Sequence, residues 1–280
     1  MSQVQPSTIR QLFAMHLLLA LAPLGLGVMP INYWTLPIAW SLGSVPFSQI
    51  MLLSIWVGMT KSRRPIIKFV LAASWGIFLA LVLAWPQVLM TAGAQFREFE
   101  SAFLNFLCVL LILLAFTSSL LASATRLTGT IDISQETEFP PVVSRFRFSL
   151  LALLAFATAI ALLFGLVRIS RANIATAGLA ATIMEFTLGA VVFSLNTLVA
   201  VWATMGPRHV GRRLGVLFLV SVMLGGSFAI GTYSSYSTEP WWLIVSFPLV
   251  IIVPMAIVAL TLLSLRRLGF RLVPPKPRVS

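Results

Sequence analysis

Residues 101–125 read SAFLNFLCVLLILLAFTSSLLASAT, a run of 25 residues without a charged side chain. A helix rises about 1.5 Å per residue, so this run is long enough to cross the hydrocarbon core of a bilayer, which is about 30 Å thick. Seven further stretches have a similar character: 11–29, 36–59, 66–91, 149–167, 178–204, 214–232 and 241–265. Backbone groups in lipid find no water to bond, so each run is predicted to be a helix. The sequence predicts an all-α integral membrane bundle of eight transmembrane helices.

The composition argues against a soluble protein. Of the 280 residues, 59% are hydrophobic and 9% are charged, whereas soluble domains carry about 25% charged residues. So few polar groups cannot cover the surface of a soluble fold of this size. The single cysteine, Cys108, excludes a disulfide within the chain and a site built from several cysteines.

Lysine and arginine are unevenly distributed between the two sides of the predicted helices. If all eight stretches cross the bilayer, 16 of the 19 basic residues lie on the side that holds both termini. The remaining 3 are Arg97, Arg168 and Arg171. The positive-inside rule then places both termini in the cytoplasm. The short basic clusters predict contact with anionic lipid headgroups, and no soluble basic domain exists that would bind nucleic acid.

The two halves of the chain resemble each other. Residues 47–56, FSQIMLLSIW, align without gaps with residues 193–202, FSLNTLVAVW, and a basic loop follows each segment. The third and seventh spans both carry small residues four apart: Ala72, Gly76 and Ala80 in one, Ser221, Gly225 and Ala229 in the other. Small residues at this spacing let helices approach closely. We interpret the similarity as an internal duplication.

The duplication divides the chain into four parts. Residues 1–126 form the first four-span repeat, 127–148 a cytoplasmic connecting loop, 149–267 the second four-span repeat, and 268–280 a cytoplasmic tail. Because each repeat has an even number of spans, both would have the same orientation. The axis that relates them would then run along the membrane normal.

A short motif opens each half. Residues 8–13, TIRQLF, and 145–151, RFRFSLL, resemble the F-S/T-x-R-x-L-L/F motif found before spans of many uncharacterised bacterial membrane proteins. The second copy places its arginine before the Phe-Ser pair. The resemblance implies a protein of the bacterial plasma membrane, and it implies no activity, cofactor or site residue.

Three polar side chains within the apolar runs are candidate solute contacts. Glu185 is the only acidic residue inside a predicted span, and an ionisable group at the centre of a span costs about 2.5–3.5 kcal/mol. Its distance from Arg208, about 34 Å along a helix, places it near the outer boundary, where it could instead bond to water. Gln49 and Asn196 lie near mid-depth at almost equivalent places of the two repeats. Their ordinary use is bonding between helices.

Residues for catalysis are scarce. His16 is the only histidine within a predicted span, about 9 Å past Arg10, where it would hydrogen-bond near the interface or relay protons. The chain has no H-E-x-x-H, Walker A or Rossmann motif, and its Gly-Ser pairs have no histidine base at a suitable depth. We therefore predict a protein without enzymatic activity, metal or cofactor.

Two functions remain open at this point. The bundle could bind or move a small solute near the repeat interface through Gln49, Asn196 and Glu185. Alternatively, it could be a scaffold or assembly subunit of a larger membrane complex, acting through its cytoplasmic loops and tail. In that case its partner would be another protein or a second copy of the chain.

The predicted orientation can be tested with reporter fusions. We expect reporters inserted beside Arg63 and Arg212 to lie on the same, cytoplasmic side, because both loops carry the basic residues that are retained there. Fluorescent-protein fusions should be bright at both positions, and alkaline-phosphatase fusions should be inactive. Opposite results at the two loops would contradict the eight-span arrangement.

Overall fold

The computed structural model describes residues 6–28, 36–60, 64–90, 96–128, 130–133, 178–206, 209–233 and 242–273. Over these residues the chain forms seven α-helices, one 3-10 helix and a small sheet. The helices are α1 (Pro6–Leu21), α2 (Leu36–Met59), α3 (Pro65–Met90), α4 (Phe96–Thr128), α5 (Gly178–Met205), α6 (Val210–Tyr233) and α7 (Trp242–Arg267). The 3-10 helix, Ala22–Val28, continues α1, and the strands are β1 (Thr130–Ile133) and β2 (Phe270–Val273).

Seven of the predicted spans coincide with helices. The second span was predicted over 36–59, and α2 has the same bounds. The fifth span, 149–167, lies outside the described residues, so the count of eight stays a prediction. The first span departs from a regular α-helix, since α1 ends at Leu21 and the next seven residues are 3-10. Pro23 accounts for the change, because its ring nitrogen cannot donate to the fourth residue before it.

Four helices in the described part of the chain are long and apolar enough to cross a membrane: 37–59, 65–86, 102–125 and 248–267. Their outward-facing side chains are apolar as well. Ile66, for example, is 77% exposed, and Leu260 is also largely exposed. Such side chains are poorly suited to water and well suited to lipid. These helices indicate a protein embedded in a membrane.

The helix contacts form a symmetric pattern. α2 packs against α4 and α7, and α5 packs against the same two helices. α3 packs against α4 as α6 packs against α7. Exchanging α2, α3 and α4 with α5, α6 and α7 therefore leaves this set of contacts unchanged. α2 and α5 contact each other through Phe47 and Phe193, whose ring centroids are 5.4 Å apart.

A short antiparallel sheet joins the segments that follow α4 and α7. β1 pairs with β2 in a register that places Thr130 opposite Val273 and Ile133 opposite Phe270. Gly269, with a φ of 94°, lets the chain turn from α7 into β2. The sequence predicts a loop and a tail for these segments, because a strand of four residues is too short to show a clear alternation of apolar and polar residues.

Glycines show where two helices come closest. A Cβ added at Gly225 on α6 would lie 2.5 Å from the Cα of Pro248 on α7. A Cβ at Gly58 on α2 would lie 2.6 Å from the carbonyl oxygen of Ser118 on α4. At Gly76, the nearest atom would be 3.8 Å away, an ordinary contact. Of the two aligned small-residue ladders, the one on α6 therefore contains a backbone contact that excludes a side chain.

We expect Gly225→Ala and Gly58→Ala to destabilise the bundle by about 1–3 kcal/mol, the usual cost of overpacking. In both cases the new methyl group would meet backbone atoms, which cannot move aside as a side chain can. Gly76→Ala is the matched control and should leave stability nearly unchanged. Thermal unfolding in detergent, followed by size-exclusion fluorescence, compares the three variants. Equal melting temperatures for all of them would contradict the close contacts.

Candidate functional site

His16 joins three helices through both nitrogens of its ring. Its Nδ1 lies 2.9 Å from Nε2 of Gln49 on α2, and its Nε2 lies 3.0 Å from Oγ1 of Thr261 on α7. The Thr261 hydroxyl donates to the carbonyl oxygen of Ile257, 2.8 Å away on its own helix. We call His16, Gln49 and Thr261 the polar triad.

One arrangement of the protons satisfies every hydrogen bond of the triad. The Thr261 hydroxyl donates its single proton to Ile257, and its oxygen accepts from Nε2–H of His16. Nδ1 of His16 then carries no proton and accepts from the amide N–H of Gln49. In this arrangement the imidazole is neutral, with its proton on Nε2.

The triad attaches a helix that has little other packing. Most of α1 faces outward; Phe13 is 65% exposed and Leu18 is 71% exposed. His16 belongs to a narrow inner stripe with Leu12, Leu19 and Ala20, which are at least partly covered. The hydrogen bonds of His16 join this stripe to α2 and α7.

Gln49 was predicted as a solute contact or as a bond between helices. It is buried, at 5% exposure, and its amide nitrogen bonds to His16. The structure thus places Gln49 in a link between α1 and α2. The hydrogen bond between His16 and Gln49 could not be predicted from the sequence, because 33 residues separate them and no spacing rule connects them.

Asn196 differs from every other buried polar residue in the described part of the chain. It is 2% exposed, and its side-chain oxygen Oδ1 has no hydrogen-bond partner there. By contrast, buried hydroxyls such as those of Ser48, Ser54 and Thr204 donate to carbonyl oxygens of their own helices. An unsatisfied buried acceptor costs about 1–3 kcal/mol. The Asn196 oxygen is therefore a costly group that a hydrogen-bond donor would satisfy.

The residues around Asn196 belong to the central part of the bundle. Two residues earlier, the Ser194 hydroxyl lies 2.8 Å from that of Thr117 on α4, and both are buried. Three residues earlier, Phe193 contacts Phe47 of α2. Asn196 thus lies on the stretch of α5 that contacts both α2 and α4.

Gln49 and Asn196 are not joined by a hydrogen bond in the described part of the chain. Gln49 bonds to His16, and the Asn196 oxygen has no partner among the described residues. Glu185 lies on α5, 11 residues before Asn196 or about 16 Å along the helix. The structure describes its backbone and not its side chain, so its predicted contact lies outside what is described.

Cations cover one end of α5. One nitrogen of Arg266, Nη1, lies 2.7 Å from the carbonyl oxygens of both Thr204 and Gly206. Arg213 donates to the carbonyl of Trp202 at 3.3 Å, and its guanidinium lies over the Trp202 ring, 4.8 Å from the centroid. Positive groups here satisfy carbonyls that have no partner within the helix and complement its dipole.

A similar arrangement is found at the same end of α2. Lys68 lies 5.4 Å from the centroid of the Trp56 ring and donates to the carbonyl oxygen of Thr60 at 3.1 Å. Trp56 and Trp202 are aligned in the two halves of the sequence. In the sequence, Lys68 and Arg213 are two of the basic residues of the predicted cytoplasmic side, and they follow their tryptophans by 12 and 11 residues. That spacing was the available signal.

Comparisons with protein-family models, with curated proteins and with solved structures find no match for this chain. Within the described residues, no three histidine, cysteine, aspartate or glutamate side chains are grouped so as to hold a metal ion. The features of the described residues that bear on function are therefore the polar triad, Asn196 and the symmetric packing of the helices.

Replacing Asn196 with leucine tests whether its oxygen is a cost to the fold. We expect Asn196→Leu to raise the free energy of unfolding by about 1–3 kcal/mol, because the branched shape is kept and an unsatisfied acceptor is removed. Thr197→Val is the neighbouring control; it removes a hydroxyl that is already bonded to Phe193 and should have a small or slightly negative effect. Thermal unfolding in detergent measures both. A clear loss of stability in Asn196→Leu would show that the oxygen has a structural partner.

Proposed function

We propose that this protein binds a small polar solute between two four-span repeats and moves it across the bacterial plasma membrane. The proposal includes eight spans with both termini in the cytoplasm. It also includes contact between the basic cytoplasmic loops and anionic lipid headgroups. The observation that carries it is the buried Asn196 oxygen without a partner. A membrane protein that keeps so costly a group has a use for it that folding alone does not supply.

The symmetric packing supports the repeats. α2 and α5 exchange places under the symmetry, and they contact each other through the aligned residues Phe47 and Phe193. Equivalent residues of two repeats can contact each other only near the axis that relates them. The antiparallel pairing of β1 with β2 is likewise unchanged when the two strands are exchanged. Binding at the interface between repeats is a common arrangement in transporters.

The chemistry of Asn196 limits the class of solute. A carboxamide oxygen accepts hydrogen bonds and does not donate them. The solute must therefore present a donor, such as a hydroxyl, an amide N–H or an ammonium group. Glu185 lies three turns away on the same helix, and its carboxylate would favour a cationic donor. In the proposal, this carboxylate is the second group that contacts the solute. No step of bond making or breaking is involved.

Uptake into proteoliposomes tests this function. We expect transport of at least one solute from a panel of polyols, amides and amines, and we expect Asn196→Leu to reduce that uptake by tenfold or more, since one hydrogen bond to a buried polar group is worth about 1.4 kcal/mol or more. The combination of lower uptake with unchanged or higher stability would distinguish a binding group from a structural one. Thr197→Val should transport as the parent protein does.

Two results would contradict the proposal. One is the absence of uptake for the whole panel, and the other is unchanged uptake in Asn196→Leu. If uptake is absent and a stoichiometric protein co-purifies in mild detergent, the scaffold function replaces transport.

A further inference from the structure

The polar triad contains one group that can gain a proton, the ring of His16. The proton would add to Nδ1, which carries none in the neutral state. In the neutral state, Nδ1 of His16 is an acceptor and faces the amide nitrogen of Gln49 at 2.9 Å. A proton added to Nδ1 would point at the N–H donor of Gln49, and two donors cannot share a hydrogen bond. The Thr261 side of the ring would be unaffected, because Nε2 already carries its proton.

The carboxamide of Gln49 can remove this conflict by turning about its last side-chain bond. The torsion between sp³ and sp² carbons is broad, and a half turn exchanges the oxygen and the nitrogen. The oxygen would then accept from the new Nδ1–H of His16. The amide N–H groups, which faced His16 before, would face the opposite way.

We propose that His16 is a proton-binding site, and that binding a proton reverses the Gln49 amide, so that the end turned away from His16 changes from an acceptor to N–H donors. In this step a proton from the aqueous phase adds to the lone pair of His16 Nδ1. The hydrogen bond that the Gln49 amide donates to Nδ1 is lost, and a new hydrogen bond forms from Nδ1–H to the Gln49 oxygen. Loss of the proton reverses each change. No other group is oxidised, reduced or cleaved.

Among the described helices, none that is packed around His16 carries a carboxylate. Its own helix carries Arg10, and α2 has no charged residue between Leu36 and Met59. α7 carries Arg266 and Arg267 at its end, and α3 carries Lys68 near its start. Because the charges on these helices are all positive, the Gln49 oxygen is the group that stabilises the protonated ring in this proposal.

The inference deepens the proposed function, and only its consequence for transport rests on that function. With His16 neutral, the end of the Gln49 amide turned away from His16 is its oxygen, an acceptor like the Asn196 oxygen. With His16 protonated, that end carries N–H donors. A solute that donates hydrogen bonds to this end would then bind better when the proton has left, so solute and proton would be exchanged for each other.

The tautomer and the titration of His16 can be measured without any solute. The chain has two histidines, and the second, His209, is exposed. In a His209→Asn variant labelled with 15N-histidine and reconstituted in bilayers, the nitrogen NMR signals report His16 alone. We expect the Nε2–H tautomer at neutral pH and conversion to the doubly protonated ring on acidification.

Substitutions of Gln49 test the role of its amide. A carboxylate in its place would pair with the protonated ring, so Gln49→Glu should move the pH of half-protonation upward by about one unit or more. Gln49→Leu removes both hydrogen-bonding ends and should make the protonated ring harder to form. Thr261→Val is the control for loss of a partner on the other nitrogen; it should change the Nε2 signal and keep Nδ1 as the site that gains the proton.

Certain results would overturn the inference. An Nδ1–H tautomer at neutral pH contradicts the proton positions, and an unchanged titration in Gln49→Glu contradicts the role of the amide. The transport proposal fails separately: absent uptake with the expected NMR titration leaves the proton site standing, whereas uptake with a His16 ring that does not titrate overturns the proton site alone.

Discussion

The absence of water inside a membrane bundle is the constraint on which this structure depends. Each interior donor and acceptor must find a partner within the protein, since lipid offers none. Most polar side chains here meet that demand locally, as when the hydroxyls of Ser54 and Ser221 bond to carbonyls four residues earlier. Side chains that do not bond locally must reach other helices, and those are the ones that define how the helices fit together.

The polar bonds between helices occur at corresponding interfaces. The triad links α2 with α7, and the Thr117–Ser194 hydrogen bond links α4 with α5. These two helix pairs exchange under the symmetry of the contacts. The first link passes through His16 of α1, whereas the second is a direct hydrogen bond between two hydroxyls.

The helices could be predicted from the sequence to within a few residues, because a span is defined by its length and by the absence of charge. α2 and α3 show this well, since their bounds match the predicted runs to within one residue. The end of α1 could not be predicted as well, because kinks at proline are usual within spans, whereas Pro23 is here the second residue of a 3-10 segment.

The site was less predictable than the helices. Gln49 and Asn196 could be named from polarity and depth, but their different situations depend on residues far apart in the chain. Thr261 is 245 residues from His16, and Arg266 is 62 residues from Thr204. Helical periodicity carries no information on such pairs. The aligned tryptophans Trp56 and Trp202 were visible in the sequence, yet the cations on their rings required the structure.

The small sheet has a mechanical consequence. β1 and β2 directly follow α4 and α7, and their pairing holds the ends of these two helices at the distance between neighbouring strands. Both helices are also packed against α2 and α5. Any relative rotation of α4 and α7 therefore has its fulcrum at the sheet. The amplitude of such a rotation is smallest beside the strands and increases with distance from them, so the far ends of α4 and α7 have the greatest freedom to separate.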